Sequence, residues 1–395
     1  MAIREIKKGV VYVGVQHWER RLFDELIPLP DGTSYNSYLV IGSEKTALID
    51  TVDPSKRETL IANLKEARIE KIDFIVANHA EQDHSGSISE ILSLYPGSKV
   101  VTNEKGKALL SDHLHISDEK FITVKDGEAI PLGSKTLKFV FTPWVHWPET
   151  MVTFLVEDRI LFSCDFFGSH YATSSLFAME DERILEDAKR YYAEIMMPFR
   201  VQIKKNIEIV ESLSPEMIAP SHGPIWKNPS FIINAYKDWI SDNFSNIVLI
   251  PYVSMHDSTK RMVEHLTDSL IKLGIEAKPF SLPVTDIGEF AIELVSAPTI
   301  VIGTPTVLAG AHPAVIYAVY LVNALRPKLK FATVIGSYGW GGKAVEHIQS
   351  QLSSLKLEFL EPVLIKGLPK KEDYALIDKL ANTIYNKHKE AGIIK

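Results

Sequence analysis

Residues 71–87 read KIDFIVANHAEQDHSGS. The first part is an apolar run of strand length, closed by Asn78. The second part places His79, Glu81, Asp83 and His84 at the end of that strand, where a loop can turn inward. Three more segments follow the same plan. His146 lies in PWVHWPET (143–150), Asp165 in LFSCDFFG (161–168) and His222 in APSHGP (219–224), each after an apolar run. In an α/β sandwich such strand ends can converge on one edge. Buried together without an ion, these groups would carry a heavy desolvation cost. A metal removes that cost and suits a mixture of imidazole and carboxylate. The set is rich in carboxylates and lacks thiolates. It therefore points to iron or manganese rather than structural zinc, with a carboxylate able to bridge two ions.

The surrounding chain supports a sandwich as far as residue 240. Strand-like runs at 10–15, 37–41, 46–50, 74–77, 137–141, 151–155 and 160–163 are separated by turn residues. Helical patterns at 88–94 and 187–197 are scattered among them, without the regular rhythm of βαβ units. From residue 246 the pattern becomes strict alternation. Strands are expected at 247–253, 277–281, 299–303, 331–336 and 357–365. Helices are expected at 260–274, 287–294, 313–325, after Gly342 and at the C-terminus. That series predicts a doubly wound, parallel, five-stranded sheet. The division is expected near 241–246, giving domains of 1–245 and 246–395.

Three loops of the second domain fall at C-terminal strand ends, where open α/β sheets bind ligands. The first is Ser254-Met255-His256-Asp257-Ser258-Thr259, which opens a helix. Its hydroxyls and backbone N–H groups form either a phosphate site or an N-cap cluster for that helix. The second is Thr304-Pro305-Thr306. The third is Ser337-Tyr338-Gly339-Trp340-Gly341-Gly342, whose glycines admit a flat ring that Trp340 can cover.

The run His-x-Glu-x-Asp-His, with the later His, Asp and His, resembles the metallo-β-lactamase superfamily. Glu81, where ordinary members carry His, resembles the flavodiiron proteins in particular. The resemblance implies an N-terminal metallo-β-lactamase-like αββα sandwich and a flavodoxin-like FMN domain. It implies that His79, Glu81 and His146 hold one iron, that Asp83 and His222 hold the other, and that Asp165 bridges them. The position of His84 is a ligand in some members and swings away in others. Asp257 stands where the family usually has Gly, so it either points outward or weakens phosphate binding. The segment like SYGWGG contacts the flavin ring in that family. The implied activity is reduction of dioxygen to water, or of nitric oxide to nitrous oxide. Electrons would pass from an outside donor, rubredoxin or a small deazaflavin, through FMN to the iron pair. A head-to-tail homodimer, or a tetramer, is also implied.

The remaining features bound this reading. The 395 residues are 46% hydrophobic and 24% charged, with a formal net charge of -7, which gives no support for nucleic-acid binding. The one cysteine, Cys164, excludes an intrachain disulfide and a rubredoxin or iron–sulfur module, so the donor is expected to be a separate protein. No apolar signal region or membrane span is visible, and a cytoplasmic protein is expected. Asp50 reads as a structural carboxylate, Cys164 as a small buried side chain, and His17 and His312 as packing residues that could support a site. His113, His115, His170, His265, His347 and His388 read as ordinary surface or core histidines. Trp147 reads equally as core or as a shield for a substrate pocket. Two rival readings remain: a zinc hydrolase joined to a flavodoxin-like domain, and an FMN carrier or sensor with a vestigial metal site.

Overall fold

The structure is a computed structural model that describes residues 3–394. It divides into two compact units, one of Met1–Tyr192 with Phe199–Ile240, the other of Ala193–Pro198 with Ser241–Lys395.

The first unit holds two facing sheets. The seven-stranded sheet runs Arg4–Lys7, Val10–Tyr12, Tyr38–Ile41, Thr46–Ile49, Phe74–Val76, Lys99–Thr102 and Phe121–Thr123 in spatial order. The five-stranded sheet runs Ala129–Pro131, Thr136–Phe141, Met151–Leu155, Ile160–Cys164 and Met217–Pro220. Strand periodicity decides which side chains meet. Tyr38, Val40, Ala47, Ile49, Phe74, Val76 and Val101 cluster with Leu137, Phe139, Met151, Leu155, Ile160 and Phe162 of the other sheet. Their neighbours Leu39, Leu48, Ile75 and Val100 face outward, against Leu60, Leu64, Ile88, Ile91 and Leu110 of three helices. Apolar residues therefore run continuously along these strands because both faces are covered. The result is a metallo-β-lactamase-like sandwich of layered sheets and helices.

Some boundaries differ from the sequence reading. The expected strand 10–15 ends at Tyr12, and Val15–His17 pairs with Thr33–Tyr35 in a separate ladder. Gly14 lies at the break, where a Cβ would approach the Tyr35 carbonyl oxygen to 2.6 Å. The expected helix 187–197 begins earlier, as Glu182–Tyr191, because the Asp181 carboxylate accepts the Ile184 N–H. It continues as a π-turn over Tyr192–Met196, before a further helix at Arg200–Leu213.

The second unit carries a parallel sheet in the order Glu276–Ser281, Ile247–Tyr252, Thr299–Val307, Phe331–Tyr338, then Glu358–Phe359 and Val363–Lys366. This is the flavodoxin-like order, with its switch point beside the first strand. Helices Ser258–Lys272 and Tyr374–Glu390 pack on one face through Met262, Leu266, Leu270, Ile377, Leu380 and Ile384. The expected fifth strand, 357–365, is split in two. Pro362 has no N–H to give to a ladder, and it falls in the gap. The strands at 299 and 331 are longer than expected. Thr304-Pro305-Thr306, Ser337 and Tyr338 thus form strand ends rather than free loops.

Candidate metal centre and flavin loops

Neighbouring strand ends deliver the metal-type residues. His79 follows strand Phe74–Val76, and Asp83 and His84 lie on the short helix Gln82–Ser85. Asp165 directly follows strand Ile160–Cys164, and His222 comes two residues after its parallel partner Met217–Pro220. His146 sits in the connection between Thr136–Phe141 and Met151–Leu155.

The seven residues assemble into two groups. In each, potential ligand atoms lie within 4.8 Å of one another: His79, Glu81, His146 and Asp165 in the first, Asp83, His84 and His222 in the second. Asp165 faces both. Its Oδ2 lies 3.5 Å from His79 Nε2 and 3.3 Å from His146 Nε2. Its Oδ1 lies 2.9 Å from His84 Nε2 and 3.4 Å from His222 Nε2. Glu81 Oε2 completes the first group, 3.2 Å from His79 and 3.1 Å from His146. Asp83 Oδ2 completes the second, 3.0 Å from His222. His84 therefore points into the cluster.

Supporting bonds fix the rings. His79 Nδ1 lies 2.6 Å from Glu149 Oε1, and His222 Nδ1 donates to the Ser34 carbonyl at 2.7 Å. Both leave Nε2 directed at the cluster, as second contacts do for metal-binding imidazoles. The Tyr191 hydroxyl donates to Asp165 Oδ1 at 2.8 Å. Trp147 stands edge-on to His79, with centroids 4.9 Å apart. Asp50 stays outside and accepts from the Asn78 N–H and side-chain amide at 2.8 and 2.9 Å. Cys164 borders the region, its thiol lying with His84 and Asp165 within the same 4.8 Å limit, whereas His17 packs against Tyr35.

The electrostatics fit a cation. Burial opposes charge on His146 and His222, yet the carboxylates beside them prevail and raise these imidazoles to about 9 and about 10. His79 is raised well above its ordinary value against burial by Glu149 and Glu81. Glu81 and Asp165, also against burial, are held below the usual carboxylate range by the imidazoles. The cluster thus demands positive charge at its centre. Both Asp83 oxygens, both His84 ring nitrogens and Asp165 Oδ2 are buried without a hydrogen bond. All but His84 Nδ1 stand at ion-pair distance from a neighbour in the cluster, as groups aimed at a shared ion do. The donor set fits a metal pair of the hard, carboxylate- and imidazole-binding kind.

Glu149 and Tyr191 were not singled out by the sequence, and His170 was read there as an ordinary surface or core histidine. Glu149, Tyr191 and His170 are all buried beside the cluster. Their signals were faint: Glu149 is three residues after His146, and His170 five after Asp165. His170 lies 4.9 Å, ring to ring, from His222.

In the second unit, Asp257 occupies the N-cap position of helix Ser258–Lys272 with φ +62° and no side-chain cap bond. The Ser254 hydroxyl accepts from Lys260 N–H, while the buried Thr259 hydroxyl has no partner. An unpartnered hydroxyl at a helix N-terminus fits a phosphate. Thr304 Oγ1 accepts the His312 N–H at 3.1 Å, and His312 Nδ1 caps helix Pro313–Leu325 through Ala314 N–H. A Cβ at Gly336 would strike the Thr304 carbonyl oxygen, so glycine is required where these strand ends meet. Met255, His256, Gly339 and Trp340 are exposed, and Gly341 and Gly342 have positive φ. Among the described residues no helix is long and apolar enough to cross a membrane.

A carboxylate-rich two-group centre on a metallo-β-lactamase-like sandwich, followed by a flavodoxin-like unit, defines a redox enzyme. Comparison with known proteins specifies which. Residues 33–223 match the family described as ODP family beta lactamase. The chain is 36% identical to a nitric oxide reductase of Moorella thermoacetica, over 96% of this chain and 98% of that protein. It superposes with a TM-score of 0.94 on the rubredoxin oxygen:oxidoreductase of Desulfovibrio gigas, at 30% identity, covering 98% and 99% of the two chains. The flavodiiron protein of Giardia intestinalis gives a TM-score of 0.90 at 27% identity, covering 98% of each. The chain belongs to the flavodiiron protein family of oxidoreductases.

Proposed function

We propose that this protein reduces dioxygen to water, nitric oxide to nitrous oxide, or both. Electrons would come from rubredoxin or a similar small donor in the cytoplasm. Residues 1–245 would form the diiron domain and 246–395 the FMN domain of a head-to-tail homodimer. The observation that carries the reading is Asp165, whose two oxygens face two separate ligand groups. The relatives' names support both substrates.

His79, Glu81 and His146 would hold one iron, Asp83 and His222 the other, with Asp165 between them and His84 within reach of the second. When bound, FMN would relay single electrons and the iron pair would bind and reduce the substrate. The protein's own part is positioning. Glu149 orients His79, Ser34 orients His222 and Tyr191 orients Asp165. Trp147 walls the first group. The 254–259 turn, through the Thr259 hydroxyl and helix N–H groups, would hold the flavin phosphate, and 304–306 and 337–342 would flank the ring.

The test supplies iron- and FMN-loaded protein with reduced rubredoxin and compares consumption of the two gases. Fast loss of either supports the reading and names the preferred substrate. Loss of neither, with zinc rather than iron in the purified protein, favours a hydrolase.

A further inference from the structure

Helix Glu182–Tyr191 carries a line of polar side chains from solvent to the metal cluster. Arg183, Asp187 and Tyr191 are spaced four residues apart, so they share one stripe, with steps of about 6 Å along the axis. At the outer end Arg183 is exposed and pairs with Asp31 at 2.5 Å. With Tyr171, Asp181, Ile184 and Pro224 it lines a surface pocket. At the inner end the buried Tyr191 donates to Asp165. Asp187 lies between them. It is 7% exposed, and its Oδ2 has no hydrogen-bond partner. A buried carboxyl left this way is costly. Ser169 Oγ and His170 Nε2, in the loop after Asp165, are also buried without partners. The His170 ring stands edge-on to Tyr191 at 4.8 Å. Unpartnered buried polar atoms of this kind are where internal water resides.

We propose that Asp187 is the outer relay of a proton path along helix Glu182–Tyr191, leading from the surface pocket to Tyr191 and Asp165. The path rests on the gas-reducing reading above. Either reaction consumes protons. Dioxygen takes four electrons and four protons to give two waters. Two nitric oxides take two electrons and two protons to give nitrous oxide and one water. The donor supplies the electrons, and the protons must reach a buried site. Asp187 passes its proton toward Tyr191, one helical turn further in, and regains one from the solvent side, where Arg183 lines the pocket. Tyr191 marks the inner end of the path, its hydroxyl held on Asp165.

A relay must be able to hold and lose a proton near the working pH. Burial, then Asp31, raise the Asp187 carboxyl to about 7, with Glu186 adding to the rise and Arg183 and Arg190 opposing it. Asp31 comes from a neighbouring loop and the other three from the same helix.

The test compares wild type with Asp187→Asn and Asp187→Glu, each loaded with iron and FMN. Asp187→Asn should keep its iron, its FMN and its rate of flavin reduction by the donor. Its turnover should fall at least about tenfold and recover in part with a small weak acid in solution. Asp187→Glu should restore turnover with a displaced pH profile. A readout independent of activity is the infrared band of a protonated carboxyl. It should titrate near neutral pH in wild type and vanish in Asp187→Asn. Turnover of Asp187→Asn within about twofold of wild type at every pH overturns the relay. So does absence of the band, or loss of iron that makes the role structural. A wild type that consumes neither gas refutes the functional reading instead, and the infrared titration then still decides whether Asp187 exchanges a proton.

Discussion

Asp257 offers a sharp test of the proposed flavin site. It begins helix Ser258–Lys272 in left-handed backbone, its side chain caps nothing, and it is exposed. Left-handed φ costs an L-residue about 1–2 kcal/mol, with Asp at the low end. Glycine removes that cost but orders a freer chain, at roughly 0.5–1 kcal/mol. Asp257→Gly should therefore change stability by less than about 1 kcal/mol. Binding is a separate matter, because the strain is present with or without ligand. A phosphate carrying nearly two charges, taken at roughly 7 Å in water, repels the carboxylate by about 1 kcal/mol. Physiological salt cuts this to roughly half. Asp257→Gly should thus tighten FMN about two- to sixfold. Asp257→Asn isolates the charge, since Asn tolerates left-handed backbone. The assay titrates flavin-free protein with FMN and with riboflavin, by fluorescence quenching, at low and high salt. FMN should gain in both variants, riboflavin in neither, and the gain should shrink with salt. If FMN and riboflavin move together, residues 254–259 do not hold the phosphate; if neither moves, Asp257 points away from it.

Other substitutions test the metal centre and the second unit. Asp165→Ala should lose iron and turnover but keep FMN, checked by metal analysis and flavin absorbance; retained iron would end its bridging role. Glu149→Ala frees His79 Nδ1 and should weaken metal binding about 10- to 100-fold in chelator competition. His388 is buried between Asn246 and Thr299, and burial pushes its pKa down to about 4 from the ordinary 6.5. The unfolded chain takes that proton first, so this stabilisation is full above about pH 6.5 and is lost as pH falls toward 4. The total is at most about 3 kcal/mol. His388→Gln should flatten that dependence in denaturant unfolding of the full chain followed at several pH values.

The residues that were legible in the sequence are those whose chemistry is concentrated in a short run or follows an apolar strand. His79 to His84 announce themselves by density, and Asp165 and His222 by the runs before them. Glu149, Tyr191 and His170 do not. Each is recognised only by a contact made on folding: Glu149 reaches back across the chain to His79, Tyr191 reaches Asp165 from helix Glu182–Tyr191, and His170 packs on Tyr191. The alternation after residue 246 revealed the parallel sheet, but not where its strands end. Thr304 and Pro305 remain in a ladder because Gly336 and Ser337 still offer partners, and Thr306 pairs with Ala311, all tertiary facts.

Backbone strain links these observations. Non-glycine residues with positive φ include Asp50, Trp144, Cys164 and Phe167 in the first unit, at +52°, +64°, +52° and +68°. Cys164 directly precedes Asp165, Trp144 is two residues before His146, and Asp50 holds the backbone of Asn78, next to His79. In the second unit the same conformation appears at Asp257, Leu308 and Ala309, beside the proposed flavin loops. Such positions cost about 1–3 kcal/mol each and persist where the surrounding packing imposes them. Here that packing is the pair of covered sheets, whose strands leave no freedom one residue before the ligand. A strand that ended in relaxed extended backbone would send the next side chain along the sheet. The left-handed turn at Cys164 instead redirects the chain as the strand closes, so that Asp165 can face both ligand groups. On this reasoning the strained residues and the metal-type residues form one device, in which the rigid sandwich sets the turn and the turn sets the carboxylate.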